Sequence, residues 1–251
     1  MKKIFALIAA FVPAIALAAG GNVHLDEHRT DLHDTASLQR GAQVFANYCM
    51  GCHSMEHARY NRVAKDLGIP EDLMMENLVF ADKKFGDLMT IAMRQEDSKK
   101  WFGATPPDLT LVARVRRPDW VYTYLRSFYE DPSRPWGVNN VVFKDVGMPN
   151  VLADLQGLQK LGTANVKVGY DTLTGQEITE RHDNVLYLAE EGELSAEEFD
   201  KVVYDLVNFM VYMAEPIALE RQTIGWWALL FLAIFFVPVY FLNKEYWKDI
   251  K

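Results

Sequence analysis

Residues 223–242 (TIGWWALLFLAIFFVPVYFL) run for 20 positions without a charged side chain, and a helix apolar on every side for that length does not belong on the surface of a soluble domain. At about 1.5 Å per residue it is roughly 30 Å long, the thickness of a bilayer's hydrocarbon core. One transmembrane helix is the expected outcome. Trp226 and Trp227 at one end, with Tyr240, Tyr246 and Trp247 at the other, stand where interfacial aromatic belts form, and Pro238 lies near the end of the run, where a span tolerates it. Lys244, Lys248 and Lys251 place the tail, residues 243–251, on the cytoplasmic side.

The chain opens on Met1-Lys2-Lys3, continues with a short apolar stretch interrupted by Pro13, and closes it on Ala16-Leu17-Ala18. That is a basic region, an apolar region and a small-residue cleavage site, so residues 1–19 read as a signal peptide. An uncleaved anchor is the alternative, but the stretch is short for a span. Residues 20–222 are then an exported domain. The formal net charge is -8, and the leader and tail are basic, so the exported part is more acidic still. It should attract cationic partners and repel nucleic acid.

The sequence holds two cysteines, Cys49 and Cys52, in a compartment where thiols are normally oxidised. They belong to Cys49-Met50-Gly51-Cys52-His53, the C-x-x-C-H pattern of c-type haem attachment. Two thiols on one turn can add to the two vinyl groups on one porphyrin edge, and the adjacent His53 can present its imidazole to the iron. One haem c, held by two thioethers, is the expected cofactor. A zinc site would want a fourth ligand at recognisable spacing. A thioredoxin-like pair would want a βαβ context, and a disulfide between residues this close in sequence is strained.

The sixth iron ligand is sought among ten methionines. Met1 is in the leader, and Met50 and Met55 are too close to His53 to reach the opposite face. Met74, Met75, Met89 and Met93 lie in helix-like stretches where core packing explains them. Met210 and Met213 belong to the helix that leads to the membrane. Met148, in the loop Val146-Gly147-Met148-Pro149-Asn150, remains. His182, in a polar stretch, is the competing candidate. His24, His28 and His33 form a loose group that reads as a solvated start of the mature chain.

Around the motif, Ser37 is expected to cap a helix with Leu38, Gly41, Val44, Phe45 and Tyr48 at helical spacing. Ser195-Ala196-Glu197-Glu198 is a capping box opening a second helix, with Phe199, Val202, Val203, Leu206, Phe209, Met210 and Met213 on one face. Gly41 permits the two to approach closely. Pro118 should start another helix, just after Arg114, Arg116 and Arg117, of which one is a candidate for a haem propionate. The polar, Gly-punctuated residues 161–187 read as a loop or short hairpin turning at Thr174-Gly175. The fold class expected is mainly α, a class I c-type cytochrome-like haem domain with insertions plus one C-terminal transmembrane helix.

Several segments together resemble cytochrome c1, the haem c subunit of the respiratory ubiquinol:cytochrome c oxidoreductase, complex III. They are Gly41-Ala42-Gln43-Val44-Phe45 through His53, Trp101-Phe102-Gly103-Ala104 with Pro106-Pro107-Asp108-Leu109, Gly147-Met148-Pro149, and Ala214-Glu215-Pro216 before a single span. The resemblance implies that Cys49 and Cys52 hold the haem, that His53 and Met148 ligate its iron, and that Arg116 meets a propionate. Trp120 stands where the family often has tyrosine, which leaves the second propionate partner open. Implied partners are cytochrome b, the Rieske iron-sulfur protein as donor, and a soluble cytochrome c or equivalent as acceptor. The implied location is a bacterial inner membrane, crossed once, with the haem domain in the periplasm and the C-terminus in the cytoplasm. Some bacterial relatives carry an extra disulfide, for which this chain has no cysteine left. A membrane-anchored carrier serving another terminal reductase or oxidase, and a haem sensor or peroxidase, are the alternative functions.

Overall fold

The computed structural model describes residues 23–170 and 174–249. The signal peptide expected over residues 1–19 lies outside them. Helix α1, Thr35–Val44, buries Ser37, Leu38, Gly41 and Ala42, one stripe of its surface. Its cap differs from the expectation: Asp34 accepts from the Ser37 amide at 3.0 Å. Ser37 is wholly buried, and its hydroxyl donates instead to Asp205 Oδ1 at 2.5 Å. A hydroxyl committed to a buried carboxylate cannot also serve an exposed helix end. From α1 the chain passes into a π-helical turn, Phe45–Cys49, closed by Met50 N donating to the Phe45 carbonyl. Wide turns of this kind recur at functional sites. This one brings Phe45, Ala46 and Cys49 to the inside.

The partner of α1 is the long helix near the other end of the chain. Between them run strand β1, Met55–Arg59; helices α2, Tyr60–Leu67, and α3, Glu71–Asn77; strand β2, Leu88–Met89; and helix α4, Gln95–Phe102. Helices α5, Val112–Arg116, and α6, Pro118–Arg126, follow, then strands β3, Phe128–Glu130, and β4, Val138–Asn140, and helix α7, Ala153–Gln156. A long hairpin of β5, Gly157–Tyr170, and β6, Glu177–Glu191, precedes α8, Ala196–Ala214, and α9, Ala218–Tyr246. As expected, Ser195 and Glu198 form a reciprocal capping box at the start of α8, and Pro118 opens α6.

Helices α1, α5 and α6 all pack on α8. Gly41 sits where a Cβ would meet the Asp205 carbonyl and come within 2.6 Å of the Phe209 Cβ, so the α1–α8 crossing requires glycine. Beside it, the Phe45 and Phe209 rings lie 5.9 Å apart. A polar clasp locks the crossing. Arg40 donates to both oxygens of Asp205, at 2.6 and 3.0 Å, and Asn208 Nδ2 donates to Ser37 Oγ at 3.0 Å. Every member of this clasp has a partner, which is what makes burial of an aspartate tolerable.

The hairpin is longer than residues 161–187 suggested: strands of 14 and 15 residues pair antiparallel, turning at Gly175 with φ +68°. The register shifts at Leu158/Gln159, Gly162/Ala164 and Lys167/Gly169. Each shift resets the alternation of side chains between faces, which is why no clean period-two pattern shows in the sequence. Two of the four methionines expected in helix-like stretches lie elsewhere. Met74 is buried in α3 as core, but Met89 is a buried strand residue and Met93 lies outside any element.

Helix α9 has 29 residues and contains the whole of residues 223–242. Among the described residues it is the one helix long and apolar enough to cross a membrane, and none of its apolar window is buried against the domain. At about 1.5 Å per residue it exceeds the hydrocarbon thickness by two to three turns. Glu215, between α8 and α9, accepts from Arg221 at 2.5 Å and fixes the corner.

Candidate haem site

A cavity of about 600 Å³ opens between the end of α1, helices α5, α6 and α8, and the loop over residues 143–151. Cofactor pockets commonly have this size. Cys49, Cys52, His53, Arg116 and Met148 all line it, so the structure brings the five candidate residues to one place. Leu206 and Met210 of α8 and Val112, Val121 and Leu125 of α5 and α6 supply apolar surface.

The motif forms a tight turn in which Cys52 N and His53 N both donate to the Cys49 carbonyl, at 3.1 and 2.9 Å. Both cysteines are free thiols, and burial pushes that of Cys49 up to about 12. His53 is buried. Its Nδ1 lies 2.7 Å from the Pro107 carbonyl oxygen, which accepts, so Nδ1 carries the proton and Nε2 keeps its lone pair. Desolvation lowers its pKa, against a smaller opposing effect of the Pro107 bond and Asp108. The ring is held neutral with Nε2 unprotonated.

The Pro107 carbonyl is itself fixed. Asp108 accepts from the amides of Glu56 at 2.7 Å and Thr110 at 2.9 Å, and Leu109 N donates to the Ser54 carbonyl at 2.9 Å. The prolines at 106 and 107 stiffen the segment between these bonds. Among the described residues, Glu56, His57 and Asp108 are also near enough to share a metal ion, and that group includes neither cysteine. The zinc alternative therefore gains nothing from the fold.

Met148 is reached through a loop stitched down by two buried asparagines. Asn140 Oδ1 accepts from the amides of Val142 at 2.9 Å and Phe143 at 3.0 Å, and its Nδ2 donates to the Tyr124 carbonyl at 2.8 Å. Asn139 Oδ1 accepts from Asp145 N at 2.8 Å. The Tyr124 hydroxyl then donates to the Met148 sulfur at 3.3 Å. Burial pushes the Tyr124 phenol well above its ordinary value, so it stays a donor. Sequence reading missed Asn139, Asn140 and Tyr124. The Asn-Asn pair before a Gly-Met-Pro loop was the available signal for the first two; for Tyr124 there was none, since it reads as one more aromatic on an amphipathic helix.

Arg116 lies at the exposed edge of the cavity with its guanidinium carbon 5.1 Å from the Trp120 ring centre, a cation–π arrangement. Trp120 in turn stacks on Tyr124 at 5.0 Å with 8° between the planes. His182, the other candidate ligand, falls in β6 opposite Ala164 of the hairpin. Of the N-terminal histidines, His28 is not solvated as expected. It is buried between Tyr122 and Tyr204, with ring-centre distances of 5.4 and 4.8 Å.

Two thiols on one turn, a neutral imidazole with Nε2 free, a thioether lining the same cavity and a cation at the rim fit a covalently attached haem. A mainly helical domain of this design, followed by a long apolar helix, defines a membrane-anchored c-type cytochrome. The Cytochrome C1 family model matches residues 26–165 and 182–250, so the chain belongs to that family. Residues 166–181 fall between the matched stretches. The chain is 52% identical over 251 residues to a cytochrome c1 of Allochromatium vinosum, covering 99% of each, and 28% identical to that of Rhodospirillum rubrum, covering 98% and 97%. A Nitrosomonas europaea protein named ammonia monooxygenase gamma subunit is 42% identical, covering 100% of this chain and 99% of its own length. Membership implies a covalently bound haem c and an electron-transfer role in a respiratory chain, and α9 fits the membrane anchor.

Proposed function

We propose that this chain is the one-electron transfer subunit of ubiquinol:cytochrome c oxidoreductase, taking electrons from a Rieske iron-sulfur protein and passing them to a soluble cytochrome c. In this reading Cys49 and Cys52 would hold a haem through two thioethers, His53 Nε2 and Met148 Sδ would ligate its iron, and Arg116 would face a propionate. The observation that carries it is the convergence of these five residues on one cavity, with the His53 tautomer fixed by Pro107. When bound, a haem supplies a one-electron ferric/ferrous couple there.

The chain's own residues do the rest. Pro107 and Asp108 orient the imidazole, and Asn139 and Asn140 hold the loop that delivers the thioether. A soft sulfur ligand favours the ferrous state and a high potential, and filling the sixth position turns the site toward outer-sphere transfer and away from ligand binding. Leu206, Met210 and their apolar neighbours exclude water, which lowers the reorganisation that accompanies each change of charge. Helix α9 anchors the domain beside cytochrome b, with its lysine-bearing end in the cytoplasm and the haem domain in the periplasm after removal of residues 1–19.

An affinity tag on the full chain, followed by mild detergent extraction of membranes, tests the assignment. Co-purification of cytochrome b and a Rieske protein, with quinol-driven reduction of added cytochrome c, is the expected result. Recovery with a terminal oxidase or a nitrogen-oxide reductase and no cytochrome b would place the chain in a different assembly.

A further inference from the structure

The Tyr124 hydroxyl has a use that neither haem attachment nor iron ligation requires. A thioether sulfur carries two lone pairs, and ligation of iron takes one. The Tyr124 O–H donates to the Met148 sulfur at 3.3 Å, a close approach for a weak acceptor. We propose that Tyr124 is a positioning residue that holds Met148 in place and raises the site's reduction potential by withdrawing electron density from the sulfur; this rests on the reading of Met148 as the sixth ligand.

The geometry makes the contact a built one. Tyr124 is held by two aromatic neighbours, stacked on Trp120 at 5.0 Å and edge-on to the buried Phe128 at 5.1 Å. Its backbone carbonyl accepts from Asn140, the side chain that also anchors the loop carrying Met148. The donor and the sulfur are therefore referenced to the same buried amide. A donor to the sulfur weakens its electron donation, which the ferric state needs more than the ferrous, so the ferrous state gains. Hydrogen bonding to ligand sulfur is among the levers by which proteins set metal potentials.

The test uses the full chain with its haem, extracted in detergent. Tyr124→Phe removes one oxygen and keeps the stacked ring. At a fixed ambient potential the ferric-to-ferrous ratio should rise about threefold to tenfold, as loss of one hydrogen bond implies, tenfold being about 59 mV for a one-electron couple. The ferric methionine–iron charge-transfer band should shift as well. Incorporation of 3-fluorotyrosine at position 124, a stronger donor of nearly the same shape, should move the ratio the opposite way. Tyr122→Phe, whose ring faces the Arg126 guanidinium at 4.5 Å, should leave it unchanged.

An unaltered ratio and band in Tyr124→Phe, or a fluorotyrosine shift in the same direction as that of Phe, overturns the proposal. If the Phe variant does not take up haem, the fluorotyrosine protein decides alone, and no shift there overturns it too. Absence of the methionine–iron band in the unaltered protein would remove the ligand reading and this inference together, whereas a normal band with a silent Tyr124 removes only this inference.

Discussion

Nδ1 of His53 donates to the carbonyl oxygen of Pro107 across 2.7 Å, joining the haem-attachment motif to a proline segment 54 residues further on. The bond decides which ring nitrogen is free, and Asp108 holds the carbonyl in place through two amides. Asp108→Ala removes both acceptors, so stability should fall by about 1–3 kcal/mol. In the ferrous protein the His53 Nδ1 proton, observed by NMR, should exchange with solvent faster than in the unaltered chain. An unchanged exchange rate would show that Asp108 does not hold the imidazole.

The loop over residues 141–148 depends on Asn140 in the same way. Asn140→Ala leaves the amides of Val142 and Phe143 without their acceptor and takes one of its donors from the Tyr124 carbonyl, which keeps Ser127, at a cost of about 1–3 kcal/mol. Met148 should then leave the sixth position part of the time. Carbon monoxide binding to the reduced protein, absent before, should appear in this variant. A loop anchored elsewhere would leave it closed.

At the α1–α8 crossing, Gly41→Ala places a methyl group against the Asp205 carbonyl and the Phe209 Cβ. Neither is the free end of a flexible side chain. Overpacking of this kind costs about 1–3 kcal/mol, and the helices must separate to relieve it. The melting temperature should fall, and the Phe45–Phe209 contact should loosen with it. A variant as stable as the parent would mean that the crossing adjusts.

His28 gives the domain a pH dependence of known sign. Burial lowers its pKa from 6.5, opposed in part by the Tyr204 carbonyl and Asp119, while Tyr122 and Tyr204 face the ring. The unfolded imidazole therefore takes up a proton at a higher pH than the folded one. The contribution is complete above 6.5 and is lost as pH falls below it, until the folded pKa is passed. The slope from one such group is at most about 1.4 kcal/mol per pH unit. Denaturant titrations should show His28→Gln flatter than the parent between pH 6.5 and the acid limb. Equal slopes would assign the pH dependence to other groups.

Much of this fold was legible because its strongest signals are local. The Ser195 capping box, Pro118 at a helix start and the uncharged run over residues 223–242 each depend on a few adjacent residues, and each stands where expected. The cysteine motif, the Gly-Met-Pro loop and Arg116 met at one cavity. What sequence hid were choices made by tertiary contacts. Ser37 reads as a cap until Asp205 claims its hydroxyl, and His28 reads as solvated until two tyrosines enclose it. The hairpin hid behind its register shifts, and Tyr124 behind a helical aromatic pattern that packing alone explains.

The most direct test of the account is the optical spectrum of the detergent-extracted protein, oxidised and reduced, beside Met148→Leu, with carbon monoxide added to each. The account predicts a low-spin parent that excludes carbon monoxide and shows the ferric methionine–iron band, with the band lost and the reduced variant open to carbon monoxide after substitution. A parent that binds carbon monoxide readily, or a variant indistinguishable from it, would contradict ligation by Met148 and the closed electron-transfer site built on it.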